Sequence, residues 1–149
     1  MEFSSFISEA TKVEGDIKTT LKKIPAPHAR LVRGYKFRFQ PSNTLKGDDG
    51  HIGFIDEEKK TITIASPWNY GREYTLLHEV GHAVWKYAMD DGKKAEWKKI
   101  LRPIRKANKK DLDQNDEEIF CMSYAQAYAN NGITKFDHDD LVEFARRIR

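Results

Sequence analysis

The chain has 149 residues and a formal net charge of only +3, because 26 Lys and Arg oppose 23 Asp and Glu. The two signs are mixed along the chain, so the net charge alone does not point to a nucleic-acid partner. A single cysteine, Cys121, excludes an internal disulfide, and no apolar run of about 18 residues is present to span a membrane. These numbers indicate one globular domain with a sizeable core.

We therefore expect a single domain over 1–149, in which 1–70 form a helix and sheet part and 71–149 form a helical part with the functional site. The start of the chain has no apolar run typical of a signal peptide. We expect a monomer in the cytoplasm without a membrane partner. Packaging into a virion or non-classical export would leave no mark in the sequence.

The first half combines a helix with short strands. Apolar residues at three-to-four spacing over 3–23 predict an amphipathic helix, which Pro25 and Pro27 end. Alternation over 29–39 predicts a strand. Two further strands at 52–55 and 61–65 are joined by the charged hairpin connection 56–60, after a polar loop over 41–50.

The second half is predicted to be helical. One helix runs from 72 to 89 and ends at 90–92, and the next covers 93–107, where Pro103 should kink or split it. A third helix, capped by Asn115 or Asp116, ends near 130, and a last one is capped by Asp137 and buries Leu141, Val142, Phe144, Ala145 and Ile148. The predicted class is α+β: a small three-stranded twisted sheet packed on the helix 72–89, followed by a mostly helical half.

The helix 72–89 contains the pattern His-Glu-x-x-His at His78, Glu79 and His82. Two histidines four residues apart lie on one face of a helix and can bind one metal ion. Zn²⁺ suits two imidazoles and a carboxylate, and the glutamate after the first histidine is placed to take the proton of an attacking water. Gly81 in mid-helix indicates that another backbone packs closely there. The plainer alternative is a pair of partly buried structural histidines.

The third ligand must come from elsewhere in the chain. A third histidine of the His-x-x-Gly-x-x-His kind is excluded, because Trp85 and Ala88 stand where glycine and histidine are needed. A carboxylate at the start of the helix after residue 115 remains, and both Glu117 and Glu118 are open. Cys121 is expected to be a small core residue. The three remaining histidines are expected on surface loops: His28, His51 and His138.

The segments 75–84, 53–56, 61–64 and 118–121 together resemble the gluzincin metallopeptidases. Within them they are most similar to the family of the anthrax toxin lethal factor catalytic domain and the proline-specific endopeptidases. That resemblance implies zinc ligands at His78, His82 and Glu118, with Glu79 as the catalytic carboxylate, and so a zinc metalloendopeptidase.

Two positions depart from the pattern of that family. Met122 stands where a second glutamate is usual, and Asp111 stands where a tyrosine steadies the oxyanion. No tyrosine is therefore assigned to that role, and the candidates are Tyr70, Tyr74, Tyr87, Tyr124 and Tyr128.

By analogy with gluzincins, the strand 61–66 would be the sheet edge along which a protein or peptide substrate lies as an added strand. The cleft would then be bordered by Ala65, Ser66, Trp68 and Asn69. The proline preference of some relatives does not transfer without the residues that create it.

Two other functions remain open. One is a regulatory metallopeptidase of the repressor-cleaving type. The other is a non-catalytic, zinc-stabilised module that docks an acidic protein partner or nucleic acid through the basic stretch 93–110. This stretch lies in the segment 86–110, which has ten basic and three acidic residues. A solvated helix face is the commoner explanation of such a stretch, and the acidic run that follows can neutralise it, so a nucleic-acid partner is not expected.

Overall fold

The structure is a computed structural model that describes residues 17–41, 53–66, 72–129 and 138–149. It confirms the α+β class. The described elements are, in chain order, α1 (17–21), α2 (Ala26–Leu31), β1 (Lys36–Pro41), β2 (Gly53–Asp56), β3 (Thr61–Ser66), α3 (Arg72–Tyr87), α4 (Asp91–Ala107), α5 (Asp116–Tyr128) and α6 (Asp139–Arg147).

The sheet has the order β1-β3-β2, with β1 parallel and β2 antiparallel to β3. The hairpin between β2 and β3 is confirmed. The prediction that strand 61–66 is the sheet edge is wrong, because β3 pairs on both sides. Ile62, Thr63 and Ile64 are all buried, as is usual for a central strand that is covered on both faces.

Residues 29–31, which the alternating pattern assigned to a strand, belong to helix α2, and β1 begins only at Lys36. Pro25 occupies the N-cap of α2 and Pro27 lies in its first turn, where a missing N–H costs nothing. His28 and Val32 are both fully buried and lie four residues apart. The expectation of a surface histidine at position 28 is therefore also wrong: its Nδ1 lies 3.0 Å from the hydroxyl of Tyr124.

Helices α3 and α4 meet at a short connection. Helix α3 ends at Tyr87, two residues before the predicted end, and Asp90 caps α4 by accepting a hydrogen bond of 2.8 Å from the Lys93 N–H. Helix α4 is not split at Pro103. Burial of Trp97 and Leu101 holds its inner face against the core, and such packing outweighs the local cost of proline.

The aromatic core joins the last three helices. The ring of Trp97 lies 5.4 Å from that of Phe120 on α5 and 5.2 Å from that of Phe144 on α6, measured between centroids. The predicted start of α5 is confirmed, because the Asn115 side chain accepts a hydrogen bond of 2.8 Å from the Glu118 N–H. His138 occupies the N-cap of α6.

Several predictions fall outside the described residues: the helix before residue 17, the loop after Pro41, His51, Tyr70 and the cap Asp137. Among the described helices, none is both long enough and apolar enough to cross a membrane.

Helices α3 and α5 are in close backbone contact at Gly81, as its position in mid-helix predicted. A Cβ atom at Gly81 would lie 3.0 Å from the Cα and 3.2 Å from the Sγ of Cys121. The contact is with backbone, which cannot rotate away. Only glycine lets the two helices pack at this distance.

We expect Gly81→Val to lower the free energy of unfolding by about 1–3 kcal/mol, because the added methyl groups force the two backbones apart. Urea unfolding measures the change. Gly34→Val is the matched control, since a Cβ there meets nothing within 4 Å among the described residues. Equal stability of the two variants would contradict the close contact.

Burial lowers the pKa of His28 from 6.5 to about 4, helped by the positive charges of Arg149 and Lys93. Because the unfolded chain binds this proton first, the stability due to neutral His28 is complete above pH 6.5 and is lost as the pH falls towards 4. We expect a loss of up to about 3 kcal/mol in the wild type and a flatter pH dependence in His28→Phe. Urea unfolding at several pH values between 4 and 6.5 measures the free energy of unfolding of each protein. Tyr124→Phe is the control, because it retains the histidine and should keep the pH dependence of the wild type.

Candidate metal centre

Helix α3 presents His78, Glu79 and His82 to a cleft of about 660 Å³. The opposite walls are strand β2 and the first turn of α5. The side chains of His78 and His82 are 19% and 16% exposed, so both imidazoles are largely shielded yet open to the cleft. Their ring centroids lie 5.4 Å apart. This is the arrangement expected of two histidines one helical turn apart.

Both histidines face the carboxylate of Glu118. The Nε2 of His78 lies 2.9 Å from Oε2 of Glu118, and the Nε2 of His82 lies 3.1 Å from Oε1. Two ligands of a tetrahedral zinc ion are roughly 3.3 Å apart, since Zn–N and Zn–O bonds are about 2.0–2.1 Å. Each imidazole nitrogen therefore lies close to the distance from the Glu118 carboxylate that two ligands of one zinc ion would have.

Glu117 meets the other side of one histidine. Its Oε2 lies 2.5 Å from Nδ1 of His82. A carboxylate in this position accepts the Nδ1–H proton, which leaves Nε2 free to bind a metal and fixes the ring. Between the two glutamates that the sequence left open, the geometry favours Glu118 as the ligand and Glu117 as the residue that orients His82.

Cys121 forms a second possible donor set with the same two histidines, since the three donor atoms lie within 4.8 Å of one another. The thiol is fully buried beneath Gly81 and does not line the cleft. Burial raises its pKa to about 12, so the thiol form is strongly favoured. We favour Glu118, because its carboxylate contacts both Nε2 atoms and faces the open cleft.

The charges of the cluster reinforce one another. Burial opposes a charge on His82, but the hydrogen bond to the Glu118 carboxylate favours the charge and raises the pKa of His82. The hydrogen bonds from His78 and His82 lower the pKa of Glu118. A metal ion at this position replaces a proton shared by imidazole and carboxylate, so its affinity depends on pH.

The predicted border of the cleft cannot be assigned to β3. Trp68 and Asn69 lie outside the described residues, and the side chains of Ala65 and Ser66 are not described. The described lining instead includes Gly53, Phe54, Trp85, Lys86 and Lys94. Trp85 follows His82 by three residues and so lies on the same helix face, a spacing from which it could have been found.

None of the described tyrosines lines the cleft. Tyr74 is the nearest to the histidines along α3, with its ring centroid 6.4 Å from that of His78. Tyr124 is engaged with His28, and Tyr87 is 53% exposed. No described tyrosine is therefore assigned to an oxyanion.

Comparison of the chain with known protein families, curated proteins and solved structures gave no match. The resemblance to gluzincins therefore depends on the motif residues alone.

We expect Glu118→Ala to release zinc and Glu117→Ala to weaken zinc binding about 10–100-fold, because the second variant removes only the group that orients His82. Competition with a chromogenic chelator measures both dissociation constants.

Cys121→Ala is the discriminating variant in the same series. Unchanged zinc affinity is expected if the carboxylate is the ligand. If Cys121→Ala loses zinc while Glu118→Ala retains it, the third ligand is instead the Cys121 thiolate.

Proposed function

We propose that the protein is a zinc-dependent metalloendopeptidase. The observation that best supports this function is the convergence of two imidazole Nε2 atoms on one carboxylate at the wall of an open cleft, beside a buried glutamate. His78, His82 and Glu118 would hold the ion. Zinc bound there would supply Lewis-acid activation of a water molecule and of the substrate carbonyl.

Glu79 is the proposed general base. Its side chain lines the cleft although the residue is only 4% exposed. As the residue after His78, it lies beside the first proposed ligand. Its carboxylate would take a proton from the attacking water and then pass it to the leaving amine.

Strand β2 lies directly against this glutamate. A Cβ at Gly53 would lie 3.6 Å from Cγ of Glu79, 3.3 Å from Cγ2 of Thr75 and 2.8 Å from the carbonyl oxygen of Thr63. Any side chain at position 53 would therefore displace β2 from β3 or from α3. Glycine keeps the backbone of the strand close to the proposed base.

We propose that an extended peptide adds to β2, in place of the β3 edge expected from the sequence. Among the described strands, β2 pairs only with β3, and residues 53–57 line the cleft. Main-chain hydrogen bonds to such a strand hold a peptide in register with little dependence on its sequence. The rim of the cleft carries both signs of charge, since Lys86 pairs with Glu57 there. The amine of Lys94 lies 5.3 Å from the centre of the Trp85 ring.

We expect Glu79→Gln to retain zinc and to lower peptide cleavage about 10²–10⁴-fold, because it removes the proton acceptor while keeping the volume of the buried side chain. Digestion of a peptide library by the zinc-loaded protein, followed by mass spectrometry, measures cleavage, and metal analysis of the same samples measures zinc.

The Glu118→Ala variant serves as the metal-free reference in this assay. Undiminished cleavage by Glu79→Gln would rule out the proposed base. Absence of cleavage by the zinc-loaded wild type across the library would count against the peptidase.

A further inference from the structure

A second cavity lies along α4, beside the start of α5. It has a volume of about 370 Å³ and shares no lining residue with the metal centre. We call it the α4 groove, and all its lining residues are charged: Lys98, Arg102, Arg105, Lys106, Lys109 and Asp116.

The acidic run after α4 does not neutralise this groove. Asp116 pairs with Arg105 at 2.7 Å, and Arg105 also donates hydrogen bonds to the carbonyl oxygens of Leu112 and Gln114. The next two acids of the run, Glu117 and Glu118, face the histidines of the metal centre. The other two acids of the run, Asp111 and Asp113, form no ion pair with any described residue, so Asp116 is the one acid of the run that pairs with a cation of the groove among the described residues.

Four cations remain: Lys98, Arg102, Lys106 and Lys109. None of them forms an ion pair with any residue in the described part of the chain. Lys98, Arg102 and Lys106 are spaced by four residues and so lie on one face of α4, about 6 Å apart along the helix. Lys109 follows the end of α4 and lines the same groove. Such a row of cations matches a polymer with regularly repeated negative charges better than it matches a single small anion.

The composition of the groove distinguishes between two kinds of polyanion. A protein partner needs an apolar centre with aromatic anchors, and lysine is depleted there. The α4 groove has no apolar lining residue among those described. Nucleic-acid interfaces are polar and strongly positive, and phosphates recur about every 3.4 Å along each strand, so successive cations can meet every second phosphate.

We propose that the α4 groove binds the phosphodiester backbone of nucleic acid. Aromatic and amide side chains are absent from the described lining, so the groove has no aromatic platform for base stacking and no amide to pair with adenine, and its cations are the groups that contact phosphates. The proposal is independent of the peptidase activity. It replaces the expectation, drawn from sequence alone, that this basic stretch is only a solvated helix face.

Fluorescence anisotropy with two labelled probes tests this, a duplex DNA of arbitrary sequence and a single-stranded RNA of the same length. Four phosphate contacts predict a slope of log K against log salt near −3.6 for duplex, so affinity should fall about 100-fold between roughly 50 and 200 mM salt. The slope for a single strand should be shallower. The two probes show which form of nucleic acid binds more tightly.

The groove variant neutralises all four cations: Lys98→Gln, Arg102→Gln, Lys106→Gln and Lys109→Gln. The control variant changes net charge equally at exposed lysines on other elements: Lys18→Gln, Lys22→Gln, Lys36→Gln and Lys59→Gln. We expect the groove variant to lose the salt dependence and the control to keep it. Thermal unfolding followed by circular dichroism confirms that both variants fold.

Three results would overturn the proposal. One is no saturable binding of either probe at low salt, and another is an equal loss of affinity in the groove and control variants. The third is tighter binding of polyglutamate than of both nucleic acids, which would indicate an acidic protein partner.

Discussion

The candidate metal centre depends on the contact between Gly81 of α3 and Cys121 of α5. Because no Cβ separates the helices at that point, the backbone of α5 lies directly under the turn between the two histidines. Glu118 is one turn before Cys121, and the close packing of the helices brings its carboxylate to both Nε2 atoms. The same contact buries the thiol and leaves the carboxylate open to the cleft.

The start of α5 is fixed by several contacts that do not involve the metal centre. Asn115 caps the helix, and the indole N–H of Trp97 donates a hydrogen bond of 3.0 Å to the carbonyl oxygen of Asp116. Arg105 holds the preceding loop through its hydrogen bonds to two carbonyl oxygens. Helix α4 thus supports the segment that presents the Glu118 carboxylate, while its outer face forms the basic groove.

Local patterns in the sequence were sufficient for the hairpin, for α3, α5 and α6 and for the glycine contact. They failed where the outcome depends on distant residues. The strand order follows from the pairing of β1 with β3, and the helical 29–31 segment follows from burial of His28 against Tyr124, 96 residues later. Helix α4 continues through Pro103 instead of splitting there, and the packing of the buried Trp97 and Leu101 outweighs the local cost of the proline.

The candidate site shows the same division. The His-Glu-x-x-His spacing brought His78, Glu79 and His82 onto one helix, and the resemblance placed Glu118 with them, as the geometry also favours. The contact of Glu117 with His82 could not be foreseen, because it depends on the rotation of α5. Which strand lies nearest to the site also depends on the strand order of the sheet, and that order places β2 beside the cleft.

Strand β2 has a consequence for how the molecule behaves at high concentration. Its backbone is paired on one side only within the described sheet, and Phe54 on this strand is 45% exposed. A strand edge with an exposed aromatic ring also attracts the same edge of a second copy. Self-association through β2 would therefore compete with any peptide that adds to the same edge, as proposed above.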